Sequence, residues 1–266
     1  GFADLLEIGD QRRTELFDLI PQKRNNLSGK VIEVSERVDR NGQILSSPDY
    51  KKIKGIASKL VADGCRVAVV SFLHASKNPE HEMKVGKILA NAGFIKVVVS
   101  SCINNFPKWL PRLESAVVEA YLSEVLDQYL DSVDDALGEQ SALWVMGSAG
   151  GLQKRIGYRA IDSLLSGPAA GVVGAGAIAK SAGIMNFINL DMGGTSTDVS
   201  RYSGNYSFQS PHQVGDARIS SVSLKIETVA AGGGSICRLE NDLLRVGPES
   251  AGANPGPACY GFGGPL

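Results

Sequence analysis

The sequence predicts an α/β protein with mixed sheets. Three observations carry that prediction. Short apolar strands alternate with amphipathic helices between residues 31 and 146. Glycine concentrates after residue 147, and a strand–turn–strand pattern spans Phe187 to Ser200. Strands in rhythm with helices need a helix layer to cover a sheet that is parallel at least in part.

The elements follow in order. Residues 1–30 combine one short amphipathic segment with polar loop. Val31 to Val38 alternates apolar and polar side chains and predicts a strand. Asp39-Arg40-Asn41-Gly42 follows, with Asn-Gly as a hairpin signal. Between Asp49 and Asp63, Ile53, Ile56, Ala57, Leu60 and Val61 recur at helical spacing, and Gly64 closes the helix. The nearly continuous apolar run Arg66 to Leu73 predicts a buried strand. Asn78 is placed to cap a helix begun by Pro79-Glu80, running to about Ala92 and ended by Gly93. Lys96 to Ser100 is the next strand, and Leu110 to Leu137 the longest helix. Ala142 to Met146 predicts a strand leading into Gly147-Ser148-Ala149-Gly150-Gly151. Ser166-Gly167-Pro168 opens a helix of very small residues, which can pack closely against a sheet or a neighbouring helix. After the strand–turn–strand, Ser203-Gly204-Asn205 turns the chain into a third strand, Tyr206 to Gln209. The shift to glycine and alanine predicts a boundary near 140–150, giving domains 1–145 and 146–266.

The chain of 266 residues is 43% hydrophobic and 21% charged, enough to bury a sizeable core. A formal net charge of −1 offers no electrostatic reason to expect nucleic acid or anionic membrane as partner. Cys65, Cys102, Cys237 and Cys259 lie far apart with no CxxC, which reads as reduced thiols in a cytoplasmic protein. The longest apolar stretches fall short of a membrane span, and the N-terminus has no signal-peptide layout. The start Gly1-Phe2-Ala3-Asp4 and the end Gly263-Gly264-Pro265-Leu266 read as cut ends.

Chemistry concentrates in Asp191-Met192-Gly193-Gly194-Thr195-Ser196-Thr197-Asp198. Glycines let backbone N–H groups approach an anion, hydroxyls add donors, and two carboxylates at such a turn can hold Mg²⁺ beside phosphate. A Walker A loop is absent, and a dinucleotide fingerprint would open a helix, whereas Val199-Ser200-Arg201-Tyr202 continues as a strand. A β-hairpin phosphate loop points to the ATPase lobes of actin, sugar kinases and Hsp70. Asp191 would face a metal–phosphate cluster, and the N–H groups of Gly193, Gly194 and Thr195 would cradle phosphate with the Thr195 and Ser196 hydroxyls. Asp198 would orient a water or bind Mg²⁺ through one. The competing reading is a glycine-rich turn with no ligand. Gly232-Gly233-Gly234-Ser235, after the alternating Val222, Leu224 and Ile226, leaves room for a base or ribose and fits an adenosine-binding turn.

With both elements located, the chain resembles the hydantoinase A / 5-oxoprolinase family. The resemblance rests on Gly1 to Leu19, on Leu73-His74 with Asn78 to Glu82, on Leu165 to Gly174, and on Asp191 to Asp198. It continues through Gly232 to Ser235 and Val246 to Tyr260. It implies ATP-dependent opening of a cyclic amide or imide such as 5-oxoproline, a step in glutathione metabolism, or a hydantoin. ATP phosphorylates the ring carbonyl oxygen and water attacks the activated carbon. Asp191 and Asp198 would be the catalytic and Mg²⁺-binding residues, Gly193 to Ser196 and Gly232 to Ser235 the ATP contacts. A B-type subunit or C-terminal half is the implied partner, in an oligomer. A first Gly-Gly-Thr-Phe-Thr-Asp loop is not found in these residues, and Ala149 stands where the family commonly has Asn. Glu114, Glu119, Lys225 and Glu227 also depart from the expected polar residues. An ATP-dependent carboxylase subunit and a non-catalytic binding module are the alternative readings.

Other residues are read more plainly. His74 and His81 flank Asn78 and Glu80, and loop backbone rather than a metal is their expected partner. His212 is expected to be solvated, Cys259 to be a packed thiol, and Trp109 and Trp144 to fill core or interface. Glu249 would contact substrate or cap a turn.

Overall fold

The computed structural model describes residues 2–9, 17, 19, 27–138, 140–214 and 217–264. Much of the Gly1–Leu19 segment that carries part of the resemblance, and of the polar stretch after it, lies outside the described residues. The chain forms two compact units. One holds Gly1–Val145, Lys154–Leu164 and Ser210–Ser221; the other holds Met146–Gln153, Leu165–Gln209 and Val222–Leu266.

In the first unit, helix α1 spans Tyr50–Ala62, strand β1 Val67–Val70, helix α2 Glu80–Ala92, strand β2 Lys96–Val99 and helix α3 Trp109–Leu137. Asp49 accepts the Lys52 N–H and caps α1, while Gly93 takes the left-handed conformation that ends α2. Pro79 occupies the N-cap position of α2, so the Asn78 side chain acts from one residue earlier by accepting the Glu80 N–H at 3.1 Å. β1 and β2 pair in parallel, Val67 opposite Lys96 through Val70 opposite Val99, with α2 as the crossover. Ile53, Ala57, Val70, Val85, Leu89 and Phe94 bury one core between these helices and strands. Val98 packs on Ala116 and Ala120 of α3, and Val118 of α3 packs on Ile161 and Ile219.

Two strand expectations change here. The Val31–Val38 alternation forms a ladder only at Arg37–Val38, paired with Ile44–Ser46 around the Asp39–Gln43 turn. Residues 31–36 have no ladder partner among the described residues, and alternation without a neighbour makes no sheet. The run Arg66–Leu73 shortens to Val67–Val70, of which only Val70 is buried. Its end leaves the ladder because the Phe72 N–H donates to the Glu82 carboxylate at 2.7 Å.

In the second unit, helix α4 spans Ser166–Ser181, strand β3 Asn186–Met192, strand β4 Thr197–Ser203, strand β5 Glu227–Val229, strand β6 Ser235–Glu240 and strand β7 Leu243–Ser250. β3 and β4 form the hairpin, and β5 adds antiparallel to β4, so the sheet order is β5-β4-β3. The expected third strand, Tyr206–Gln209, is a two-residue strand, Phe208–Gln209, that pairs with Ser223–Leu224 instead. β6 and β7 form a separate antiparallel hairpin. The small residues of α4 allow the close packing expected of them. Ala169 and Val172 are buried with Leu224 and Ile226, and a side chain at Gly176 would run into the Tyr206 hydroxyl. No helix among the described residues is long and apolar enough to cross a membrane.

Candidate functional site

The hairpin register decides the site. Asp191 on β3 stands directly opposite Asp198 on β4, so both carboxylates share one face of the sheet. Like charges directly opposite are destabilising, and this pair is eased from its surroundings. Thr228, the β5 partner of Asp198 in register, donates its hydroxyl to Asp198 Oδ1 at 2.6 Å. Asp191 lies along α4, where a Cβ on Gly171 would come 3.2 Å from Asp191 Oδ2. That glycine keeps the carboxylate from being crowded out of the sheet face.

The turn itself is closed by the Gly193 N–H donating to the Ser196 carbonyl at 2.9 Å. Gly193 therefore has no amide to spare, although it was expected to contribute one. The N–H groups of Gly194, Thr195 and Ser196 have no acceptor among the described residues, and Gly194 and Thr195 are exposed. The Thr195 and Ser196 hydroxyls are also without a protein partner there.

The second glycine turn lies against the first. Gly233 N–H donates to the Gly193 carbonyl at 2.9 Å and Gly234 N–H to the Gly194 carbonyl at 2.7 Å. The Thr197 hydroxyl donates to the Ala231 carbonyl at 2.5 Å, and the Gly232 N–H to Ser235 Oγ at 2.8 Å. A Cβ on Gly232 would meet the Gly193 oxygen at 2.7 Å, the Thr195 nitrogen at 2.7 Å and the Gly194 carbon at 2.8 Å. All three glycine amides of this turn are engaged within the protein.

An apolar strand ending in acid, a tight glycine turn with open amides, and a second acid in register stand together on this hairpin. The same chain matches the hydantoinase/oxoprolinase family over residues 112–266, and its N-terminal region over residues 1–93. The chain belongs to the hydantoinase/oxoprolinase family.

Among hydantoinase/oxoprolinase relatives, 5-oxoprolinase 1 of Arabidopsis thaliana is 39% identical over 100% of this chain, which covers 23% of that protein. The 5-oxoprolinase of Saccharomyces cerevisiae is 38% identical over 100% of this chain, again 23% of the relative. The chain thus spans about a quarter of the length of these curated relatives. The crystal structure of ATP-dependent caprolactamase from Pseudomonas jessenii matches with a TM-score of 0.77 and 29% identity, covering 99% of this chain and 40% of that one. Nucleotide-free acetone carboxylase matches with a TM-score of 0.69 and 28% identity. The expected family and the mixed α/β fold are therefore those of this chain.

The remaining candidates fall outside this hairpin. His81 does not satisfy loop backbone as expected. Its Nδ1 meets Glu36 Oε2 at 2.8 Å, and both side chains are buried. No group of three or more potential metal ligands occurs among the described residues. The His74 carbonyl closes the turn into α2 by accepting the N–H groups of Lys77 and Asn78. His212 is buried rather than solvated, in a strand His212–Val214 paired with Ala217–Ile219. Burial pushes its imidazole pKa down, and a backbone contact at Ser221 partly opposes this. Glu249 pairs with Arg238 across the β6–β7 hairpin. Cys259 is exposed, not packed. Trp144 is half exposed with Lys154 over its ring at 5.7 Å, while Trp109 meets Phe2 edge to face at 5.4 Å. Glu119 accepts the Ile161 N–H at 2.8 Å, a structural use.

Thr228, Gly171 and Glu36 carried no local signal in the sequence. Their partners are 30, 20 and 45 residues away, so only the folded register shows them.

Proposed function

We propose that this chain is the nucleotide-binding portion of an ATP-dependent hydrolase that opens a small cyclic amide or imide of the 5-oxoproline or hydantoin type. One observation carries the reading: Asp191 and Asp198 stand in register beside a turn whose Gly194, Thr195 and Ser196 amides are open. The 5-oxoprolinase and caprolactamase relatives support the ring-opening class. In this reading the first unit, built mainly from residues 1–145, would be the N-terminal hydantoinase/oxoprolinase domain, and the second, built mainly from 146–266, the nucleotide-binding one. The implied setting is an oligomer in the cytoplasm, with a B-type subunit or a C-terminal half that completes the reaction.

The residues present fit Mg²⁺. Two carboxylates satisfy part of an oxygen-only coordination sphere and leave positions for water and phosphate oxygens, as this ion prefers. Asp191 and Asp198 would hold it, directly or through water, and when bound it would neutralise charge on the transferring phosphoryl group. The open amides of the turn would donate to phosphate oxygens. The Thr195 and Ser196 hydroxyls would extend that donor set, and the Gly232–Ser235 turn would border the nucleotide. The Thr228 hydroxyl holds Asp198 Oδ1 and leaves Oδ2 for the ion or its water. An unstrained lactam is a poor electrophile, and transfer of phosphate to its carbonyl oxygen creates the leaving group that water attack needs.

Isothermal titration with Mg·ATP tests this reading. Saturable heat is expected, with affinity lowered at least tenfold by Asp191→Asn and by Asp198→Asn. No heat at millimolar nucleotide sinks it. The likeness to acetone carboxylase favours a second reading, an ATP-dependent carboxylase subunit. ATP turnover stimulated by 5-oxoproline supports the hydrolase, and turnover that requires bicarbonate supports the carboxylase.

A further inference from the structure

We propose that the Gly232–Ser235 turn is a template that orients the anion-binding amides of the phosphate loop, so that it serves polyphosphate binding through that loop and does not seat the nucleoside. The inference rests on the proposed function and concerns how that site is built.

The argument is one of peptide planes. In a trans peptide the carbonyl and the following N–H point in opposite directions. The Gly193 carbonyl is held by the Gly233 N–H, so the Gly194 N–H in the same plane points away from the second turn. The Gly194 carbonyl is held by the Gly234 N–H, so the Thr195 N–H points the same way. Two successive amides are thereby presented together on the open side of the loop, the arrangement that makes a backbone concavity for an anion. Left to itself, a Gly-Gly pair samples many conformations and would present both amides only a fraction of the time.

The second turn can do this only at contact distance. Gly232 lies on the peptide joining Gly194 to Thr195, which is why a Cβ there would stand 2.7 Å from the Thr195 nitrogen. The Thr197 hydroxyl on the Ala231 carbonyl ties the template to β4 at the base of the loop. The Gly232 N–H is turned back onto Ser235 Oγ, and the Gly233 and Gly234 N–H groups are spent on the first loop. Room for a ligand was the reason to expect adenosine at these glycines. That room is filled by the phosphate loop.

The test compares Mg·ATP with Mg·tripolyphosphate, which has the phosphates and no nucleoside, binding to the chain and its variants. Gly232→Ala is expected to weaken both ligands at least tenfold and by the same factor. Gly233→Ala is expected to lose less than Gly232→Ala, because its Cβ would stand 3.8 Å from the Gly193 oxygen. Thr197→Val removes the tie to Ala231 without adding bulk. It is expected to weaken both ligands equally by three- to fivefold, which keeps the idea testable if Gly232→Ala does not fold. Loss of Mg·ATP affinity with tripolyphosphate unchanged makes the turn a nucleoside seat and overturns the proposal. Unchanged binding of both ligands in Gly232→Ala or in Thr197→Val overturns it as well. A wild-type chain that binds neither ligand refutes the nucleotide reading itself, a result distinct from either variant outcome.

Discussion

The carboxyl ends of β1 and β2 in the first unit and the β3–β4 turn in the second are built from the same parts: a carboxylate, serine or threonine hydroxyls, and backbone amides at strand ends. They differ in what is left over. In the first unit Glu82 accepts from the Phe72 N–H at 2.7 Å, the Ser100 hydroxyl at 2.7 Å and the Ser101 N–H at 2.9 Å. Arg112, fully buried, donates to Ser100 Oγ and to the Phe106 and Phe72 carbonyls, and stands 4.0 Å from Glu82 Oε1. Burial pushes its guanidinium pKa down while Glu82 pushes the other way, so the cation is retained because its partners are complete. Glu82, Ser100 and Arg112 satisfy one another and the strand-end backbone, and their network clamps two strand ends, while the hydroxyls of Ser71 and Ser101 beside it are buried without a partner. In the second unit three amides and two hydroxyls remain over. Surplus hydrogen-bonding capacity that faces solvent beside charge, rather than the presence of charge, distinguishes the second region from the first.

Breaking the clamp has the largest expected effect. Arg112→Met leaves Glu82 buried without its cation and should destabilise the chain by about 3–5 kcal/mol, as loss of one partner of a buried pair does. A urea unfolding midpoint reads this. A loss under 1 kcal/mol would mean that the clamp contributes little and would erase the contrast with the turn.

The turn should respond in ligand affinity and hardly in stability. Thr228→Val removes the donor to Asp198, an exposed hydrogen bond to a charged group, worth about 1.5–3 kcal/mol at most and less when exposed. Mg·ATP affinity should fall several-fold with the unfolding midpoint nearly unchanged, and Thr228→Ser should restore it. Equal behaviour of the valine and serine variants would remove the hydroxyl from the account.

The smallest effect sharpens the comparison through pH. The buried His212 imidazole has its pKa depressed below the ordinary value, so the unfolded chain binds this proton more readily. The stability it contributes is complete above the unfolded pKa near 6.5 and is lost as pH falls through the lower folded value. Between those limits wild type should lose at most about 1.4 kcal/mol per pH unit relative to His212→Gln. Parallel stability curves for the two proteins between pH 7 and 5 would show that His212 is not responsible.

What the sequence made legible was local. The helical span after Asp49, the stop at Gly93, the Asn41-Gly42 turn and the length of α3 are written within a few residues of where they act. So is the acid–turn–acid pattern at 191–198. What it left hidden depends on residues far along the chain. Residues 31–36 alternate well but meet no neighbouring strand among those described, and the third strand beside Asp198 is Glu227–Val229 rather than Tyr206–Gln209. His212 sits in a polar Ser-Pro-His stretch, and only pairing with Ala217–Ile219 buries it. The commitment of the Gly233 and Gly234 amides is likewise a contact between turns about forty residues apart.

The interleaving of the two units has a practical corollary. Val118 is packed on Ile161 and Ile219, which belong to segments that return to the first unit after the chain has already entered the second. A protease cut or gene split at residue 145 would strand both isoleucines on the wrong fragment and expose the α3 surface that they cover. Neither half can be swapped between relatives by a single crossover, so insertions, deletions and chimeras in this protein must respect five junctions at once.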